Sequence, residues 1–303
     1  MVIELSSWQL EALDEHGLGP HVSVITNFSE DHLDRYDGYE DYVRTKRSIA
    51  HHQSGSDVVV FNNDDPDVRK VSRQTIARTM PFGTGEQTFC GAWHTESELV
   101  TVFSGTALRF PLPEQLALSG AHGRFNALAA IAACQAYGVP ESAIATGLRD
   151  FSGVENRLEA IGSVRGVSFI NDTSATAPIA TVSALRLLSE RPGRVFLISG
   201  GADKQSDLSE FLEVVSTLAT RVVLLPGTAT ERVHCGLLER GLDPGPIAQS
   251  MDEAVESAFQ EATAGDTIIL SPGLASFGLF RNEFDRGSQF RDAFARISAG
   301  HEK

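Results

Sequence analysis

Asn27-Phe28-Ser29-Glu30-Asp31-His32-Leu33-Asp34-Arg35-Tyr36 places three carboxylates, an imidazole and an amide just beyond the apolar run Val22–Thr26. Such a group can coordinate a hard divalent cation through oxygen, with His32 as a nitrogen ligand. The same composition equally suits a solvated polar loop. Glu4 lies within the apolar run Met1-Val2-Ile3-Glu4-Leu5, followed by Ser6-Ser7. An unpaired carboxylate there is costly unless a cation is near, although a charge at a strand end can also be solvated. Lys46 stands four residues after Tyr42 in a helical pattern, where a lysine is ordinarily a solvated charge. Lys204 follows an apolar run and the turn Gly200-Gly201, which makes it a credible anion anchor.

Two different sets of elements must position these groups. Met1–Leu5, Val22–Thr26 and Val58–Phe61 read as strands, with a short helix from Trp8 and a longer one over Tyr39–Gln53. From Ile76 to Leu118, short apolar runs punctuated by Gly83, Gly85, Gly91 and Gly105 predict antiparallel sheet, before an Ala-rich helix over Ala121–Tyr137. Beyond Phe151-Ser152-Gly153 the rhythm changes. Strands are predicted at Val167–Ile170, Arg194–Ile198, Val222–Leu225, Pro246–Ala248 and Thr267–Leu270. Helices are predicted near 176–188, 208–218, 228–240 and 251–261. That alternation is the pattern of a parallel, doubly wound sheet. The expected organisation is two α/β domains, 1–153 and 154–303, meeting at a cleft with a boundary near Gly153–Arg157. Ligand sites belong outside the carboxyl ends of the strands.

Composition narrows the function classes. Lys and Arg total 25 against 40 Asp and Glu, a net charge of −15, which argues against general nucleic-acid binding. Hydrophobic content of 42% with 21% charge is that of an ordinary globular enzyme. Cys90, Cys134 and Cys235 are far apart and form no metal spacing, and a reducing cytoplasm is the simple reading. No apolar run is long enough to span a bilayer, and no segment has the pattern of a signal peptide. Because Met1–Leu5 already reads as a buried strand, something upstream is expected to be missing.

Taken together, the motifs resemble the Mur ligases along essentially the whole chain. The likeness is carried by Glu4-Leu5-Ser6-Ser7-Trp8-Gln9-Leu10-Glu11, Asp31-His32-Leu33-Asp34-Arg35 and Tyr42-Val43-Arg44-Thr45-Lys46. It continues in Asn63-Asp64-Asp65, in His122 with Asn126-Ala127-Leu128, in Asn156-Arg157-Leu158-Glu159 and in Asn171-Asp172-Thr173-Ser174-Ala175-Thr176. Leu270-Ser271-Pro272-Gly273-Leu274-Ala275-Ser276 and Phe280–Gly287 complete it. The resemblance implies a partial central domain with a mixed sheet and a Rossmann-like C-terminal domain that binds glutamate. It implies an ATP-dependent, amide-forming ligase of peptidoglycan precursor synthesis. Such an enzyme joins D-glutamate to UDP-N-acetylmuramoyl-L-alanine through an acyl phosphate, as a cytoplasmic monomer without nucleic-acid or membrane partners. On these residues it implies that Glu4 and His32 serve two Mg²⁺ ions, and that Lys46 is carbamylated into a further carboxylate-like ligand. Asn126 would contact adenine, Arg157 and Asp172 the ribose and phosphates, and Ser6 would lie near the muramoyl substrate. Thr176, Lys204 and Ser276 would hold the incoming glutamate.

Four departures stand beside the likeness. No GxxxxGK[ST] phosphate loop occurs in the 303 residues, so the chain alone is expected not to turn over ATP. Gly123 follows His122 where the family usually has asparagine. Ser174 replaces a common lysine, and Glu283 stands near the place of a phenylalanine. A branch adding L-glutamate is the near rival, and folylpolyglutamate synthase fits the Asp-His-Leu-Asp-Arg segment poorly. A non-catalytic remnant, or one half of a two-chain enzyme, is the alternative from another class.

Overall fold

The computed structural model of the protein describes residues 1–28, 35–86, 89–113, 120–203, 206–276 and 278–301. The chain divides into two compact units, Met1–Phe151 and Ser152–Lys303. Each has its own sheet and its own core. Among the described residues, no helix is long and apolar enough to cross a membrane.

The first unit is built on a six-stranded sheet whose spatial order follows the chain: β1 (Val22–Ile25), β2 (Val58–Asn62), β3 (Arg78–Phe82), β4 (Gly91–His94), β5 (Glu98–Phe103) and β6 (Thr106–Pro111). β1 to β4 pair in parallel and β4 to β6 antiparallel, so the sheet is mixed. Every residue of β2 is buried, the mark of a strand covered on both faces. One cover is α4 (Gly120–Tyr137), whose Ala127, Leu128, Ile131 and Ala132 pack onto Val58, Val60 and Met80. α4 stops at Gly138, whose φ of 85° lets Val139 N–H return to the Cys134 carbonyl at 2.9 Å. The other cover joins Val59 and Phe61 to Ala50, Val68 and Val71. It is formed by the 3₁₀ turn Ser48–Ala50 after α2 (Tyr39–Arg47), and by α3 (Pro66–Arg69) with the turn that follows. α1 (Ser7–Glu15) packs against α2.

The strand expected at Met1–Leu5 does not form. Residues 1–6 have no regular structure, and Met1, Val2 and Ile3 are exposed. A strand exists only through a hydrogen-bonded neighbour, and among the described residues β1 pairs with β2 alone. The expected antiparallel region is antiparallel only from β4 onward, because β3 joins β2 in parallel.

The second unit holds a five-stranded sheet in the order β10-β9-β11-β8-β7. The strands are β7 (Glu159–Val164), β8 (Val167–Asn171), β9 (Val195–Ser199), β10 (Arg221–Leu224) and β11 (Thr267–Leu270). β8 to β11 are parallel, linked through α6 (Pro178–Ser189), α7 (Ser209–Leu218), and the pair α8 (Thr230–Leu238) and α9 (Met251–Glu261). α5 (Glu141–Asp150) closes the first unit and α10 (Glu283–His301) ends the second. β7 is antiparallel to β8 through the two-residue turn Arg165-Gly166, both at positive φ (52° and 78°), which matches the twist of a hairpin. Phe169 centres the core, its ring 5.0 Å from Phe294 and 5.9 Å from Phe259. The expected strand at Pro246–Ala248 is instead irregular. Pro246 has no N–H to give, and the segment makes one ladder-like bond, Ala248 N–H to the Leu224 carbonyl.

Candidate functional site

In the first unit, the carboxyl ends of the parallel strands open onto a cavity of about 510 Å³. Thr26 and Asn27 after β1, Asn62 at the end of β2 with Asp64 and Asp65 beyond it, and Phe82 of β3 form one side. His122, Phe125 and Asn126 of α4 form the other. Two aromatic rings 6.1 Å apart beside three amides offer stacking surface and both donors and acceptors, which is what a nucleobase requires. Asn126 is exposed and available to it.

The acids of Asn63-Asp64-Asp65 build this cavity rather than line it with free charge. The Asp64 carboxylate accepts from the Thr84 N–H at 2.8 Å and its hydroxyl at 3.0 Å, pinning the turn after β3. Asp65 caps α3 by accepting from the N–H groups of Asp67 and Val68, and its other oxygen accepts from Phe28 N–H at 3.1 Å. Two neighbouring carboxylates thus tie the loops after β1, β2 and β3 together.

The other sequence-predicted residues of this unit are placed as follows. Glu4 is exposed in the irregular segment ahead of α1. Ser6 begins α1, and its N–H and hydroxyl both donate to the Gln9 side-chain oxygen, at 2.8 and 2.9 Å. Lys46 is half-buried on α2, its ammonium 5.7 Å from the centre of the Tyr42 ring. Among the described residues it makes no ion pair. His32, with Asp31 and Asp34, lies outside the described residues, as does Lys204 of the second unit.

In the second unit, three loops at the carboxyl ends of β8, β9 and β11 are laced together by main-chain bonds. Gly273 N–H reaches the Ala175 carbonyl and Ala202 N–H the Ala275 carbonyl, each at 2.8 Å. Gly201, at φ 147°, has no room for a side chain, since a Cβ there would sit 2.1 Å from the Ala275 carbonyl oxygen. This lacing brings Asp172, Thr176, Asp203 and Ser276 to one edge of the sheet. Thr176 is half-buried and Ser276 buried, while Arg157 is exposed on the turn leading into β7.

Asp172 is a buried carboxyl of this edge. Ser271 Oγ donates to one oxygen at 2.7 Å and Leu158 N–H to the other at 3.1 Å, and Ser271 is linked onward to Thr181. Burial pushes the carboxyl from 3.8 up to about 6, against those donors and the Arg157 charge, which favour the ionised form. A carboxyl whose folded pKa lies above its unfolded value stabilises the fold fully below about pH 4 and loses that contribution as pH rises through about 6. Asp172→Asn keeps an acceptor for Leu158 and gives Ser271 a donor. It is therefore expected to gain about 2 kcal/mol over wild type at pH 7.5 and almost nothing at pH 4.5. Urea unfolding at the two pH values measures this, and a difference independent of pH would refute it.

Two arginines that hold this edge together have no role in the sequence reading. Arg286 of α10 is fully buried. Its guanidinium donates to the Thr173 hydroxyl at 3.0 Å, the Thr173 carbonyl at 2.9 Å and the Leu274 carbonyl at 3.2 Å. It thereby joins the loops that carry Thr176 and Ser276. Arg291, one turn further along, reaches the turn that carries Arg157. The motif ending in Arg286-Gly287 was the available signal, but main-chain acceptors leave no trace in side-chain spacing.

Residues 1–134 match the Mur ligase middle domain, and residues 156–274 the Mur ligase glutamate ligase domain. A protein of Roseiflexus sp. (strain RS-1) named UDP-N-acetylmuramoylalanine–D-glutamate ligase is 36% identical, over 96% of this chain and 64% of its own length. A Porphyromonas gingivalis protein of the same name is 38% identical with the same coverage. Among solved structures, the UDP-N-acetylmuramate-alanine ligase MurC of Thermotoga maritima superposes with a TM-score of 0.68 at 17% identity, over 96% of this chain and 62% of that one. E. coli FolC in complex with ADP gives 0.66 at 20% identity, over 94% and 64%. The chain spans about 64% of the length of the first two relatives. With the middle and the glutamate ligase domains both present, in order and across both units, the chain belongs to the Mur ligase family.

Proposed function

We propose that the chain supplies the nucleotide-holding and amino-acid-holding units of a cytoplasmic ATP-dependent ligase that joins D-glutamate to UDP-N-acetylmuramoyl-L-alanine. The observation that carries this reading is identity of 36–38%, running through both units, to relatives bearing that name. In this reading, the first unit is the ATP domain. Asn126 and the rings of Phe82 and Phe125 seat the adenine in the cavity at the sheet edge. Arg157 offers its charge to the nucleotide. Asp172 keeps a second lone pair on each oxygen, so a ribose hydroxyl contact and its internal bonds are compatible. Thr176, Lys204 and Ser276 hold the glutamate, and Ser6 stands near the muramoyl substrate.

The described side chains do not by themselves form a metal cage: no three His, Cys, Asp or Glu among them converge. Mg²⁺ ordinarily takes one or two carboxylates and completes its shell with phosphate oxygens and water, so an open donor set suits it. Glu4, His32 and a carbamylated Lys46 are the proposed protein ligands. When bound, the ions neutralise the phosphate and acyl-phosphate charge.

The test is ADP release from ATP with UDP-N-acetylmuramoyl-L-alanine, comparing D- with L-glutamate. It is run on the 303-residue chain and on the chain joined to the part of the Roseiflexus relative that it does not span. Without a phosphate loop, the chain alone lacks a row of N–H donors, each worth ~3–4 kcal/mol in such a transition state. Turnover is expected only in the joined form, with D-glutamate preferred. Robust turnover by the chain alone would remove the phosphate-loop requirement, and preference for L-glutamate would move the reading to the rival branch.

A further inference from the structure

Arg157 is flanked by two residues in the left-handed region, Asn156 at φ 68° and Leu158 at φ 42°. A leucine there is strained, and strain of this kind persists only where the surroundings over-determine the backbone. Here they do. Asn156 is buried; its N–H donates to Glu159 Oε2 at 2.8 Å, and its carbonyl accepts from Ser174 N–H at 3.0 Å. Its side-chain oxygen accepts from Asn171 Nδ2 at 3.0 Å and from Arg291 Nη2 at 3.1 Å. Leu158 N–H is held by Asp172. The same Arg291 nitrogen lies 2.6 Å from Glu159 Oε2 and 3.0 Å from Glu155 Oε1. The Arg291–Glu159 pair is three-quarters buried on both sides, so it is shielded from the screening that weakens surface pairs. α10 comes this close because Gly287 has no side chain: a Cβ there would fall 2.5 Å from Asn156 Oδ1. The Arg157 guanidinium, by contrast, is exposed and makes no ion pair among the described residues.

We propose that Arg291 and Glu159 are positioning residues. Their ion pair, closed on Asn156, locks the strained turn so that the Arg157 guanidinium is presented, already oriented, to the polyphosphate of a nucleotide. This rests on the nucleotide reading of Arg157 given above and adds the device that aims it. Pre-set orientation spares the ordering cost that a free arginine side chain pays on binding.

Two measurements test it, with Arg291→Met and Glu159→Gln made singly and in an Arg157→Ala background. In the form of the protein that releases ADP, each single variant is expected to raise the KM for ATP by about tenfold with kcat nearly unchanged, and Arg291→Lys to recover part of the loss. In the Arg157→Ala background neither should raise KM further, since the residue they aim is gone. A rise that persists there would assign them a merely structural role and overturn the proposal. Amide hydrogen exchange needs no nucleotide and separates this idea from the ligase reading. Exchange at Asn156 and Leu158 should quicken by about tenfold in Arg291→Met while α7 amides stay protected. Unchanged exchange at both would overturn the lock even in a protein that proved an active ligase. Quickened exchange in a protein without ligase activity would sustain the lock and sink only the nucleotide reading.

Discussion

Arg286→Ala is expected to lower the unfolding free energy of the second unit by about 3–4 kcal/mol. Two buried carbonyls, of Thr173 and Leu274, lose their donor, while the Thr173 hydroxyl loses one partner and keeps its bond to the Glu283 carbonyl. Each buried polar group left unpaired costs ~1–3 kcal/mol, and a truncated arginine leaves a cavity as well. Against this stands the relief of a desolvated charge. Burial pulls the guanidinium well below its ordinary value, down to about 10, with Glu283 opposing, so removing it returns roughly 3 kcal/mol. The orphaned acceptors and the cavity together outweigh that return. Arg286→Met fills the volume but not the hydrogen bonds and should sit between alanine and wild type. Lysine should not rescue, because one ammonium cannot span three separated acceptors. Urea midpoints at constant m-value report the result, and a loss below about 1 kcal/mol for alanine would contradict it.

In the joined form proposed to turn over ATP, Lys46→Ala is expected to cut turnover by about a thousandfold while leaving the fold intact. The ammonium is committed to no ion pair among the described residues, only to the face of Tyr42 at 5.7 Å, a contact worth ~0.5–1 kcal/mol. A group that stabilises little and sits on a rigid helix is free to serve chemistry, where one well-placed electrostatic partner is worth ~10²–10³ in rate. The paired readout is kcat from ADP release and the thermal midpoint, which should move by no more than a few degrees. If the amine acts as its carbamate, wild-type turnover rises when bicarbonate is restored to CO₂-stripped buffer, and Lys46→Arg does not restore activity. A rate within tenfold of wild type would take Lys46 out of the proposed site.

What could be read in the chain follows from where its interactions are local. The strands read at Val58–Phe61 and Arg194–Ile198 were legible because a strand buried on both faces needs an unbroken apolar run. Met1–Leu5 carries the same signal yet forms no strand, because pairing belongs to the neighbour and not to the segment. β7 was hidden: Gly162 sits at its register shift, and half of its residues are exposed. α10 was unread as a helix although its first turn had been noticed as a motif. Among site residues, the helix that carries Asn126 was legible from its Ala-rich run, whereas the role given to Asn126 rests on the family resemblance alone. The work of Asp64, Asp65, Asp172, Arg286 and Arg291 could not be read, since their partners are main-chain groups or lie up to 136 residues away.

The strand order of the second sheet has a consequence for synthesis on the ribosome. β11, made after the other described strands of its sheet, inserts between β8 and β9, whereas the six strands of the first sheet pair in the order in which they are made. The first unit can therefore assemble as it emerges, each strand finding its partner already present. In the second, β8 and β9 have no ladder to share until residue 270 has cleared the exit tunnel, and closing so long a loop is slow. Until then, the apolar edges of both strands are open to chaperones and to aggregation. The loops bearing Thr176 and Asp203 acquire their bonds to residues 273 and 275 only in that final step, so the amino-acid site proposed for this edge should form after, and separately from, the folding of the first unit.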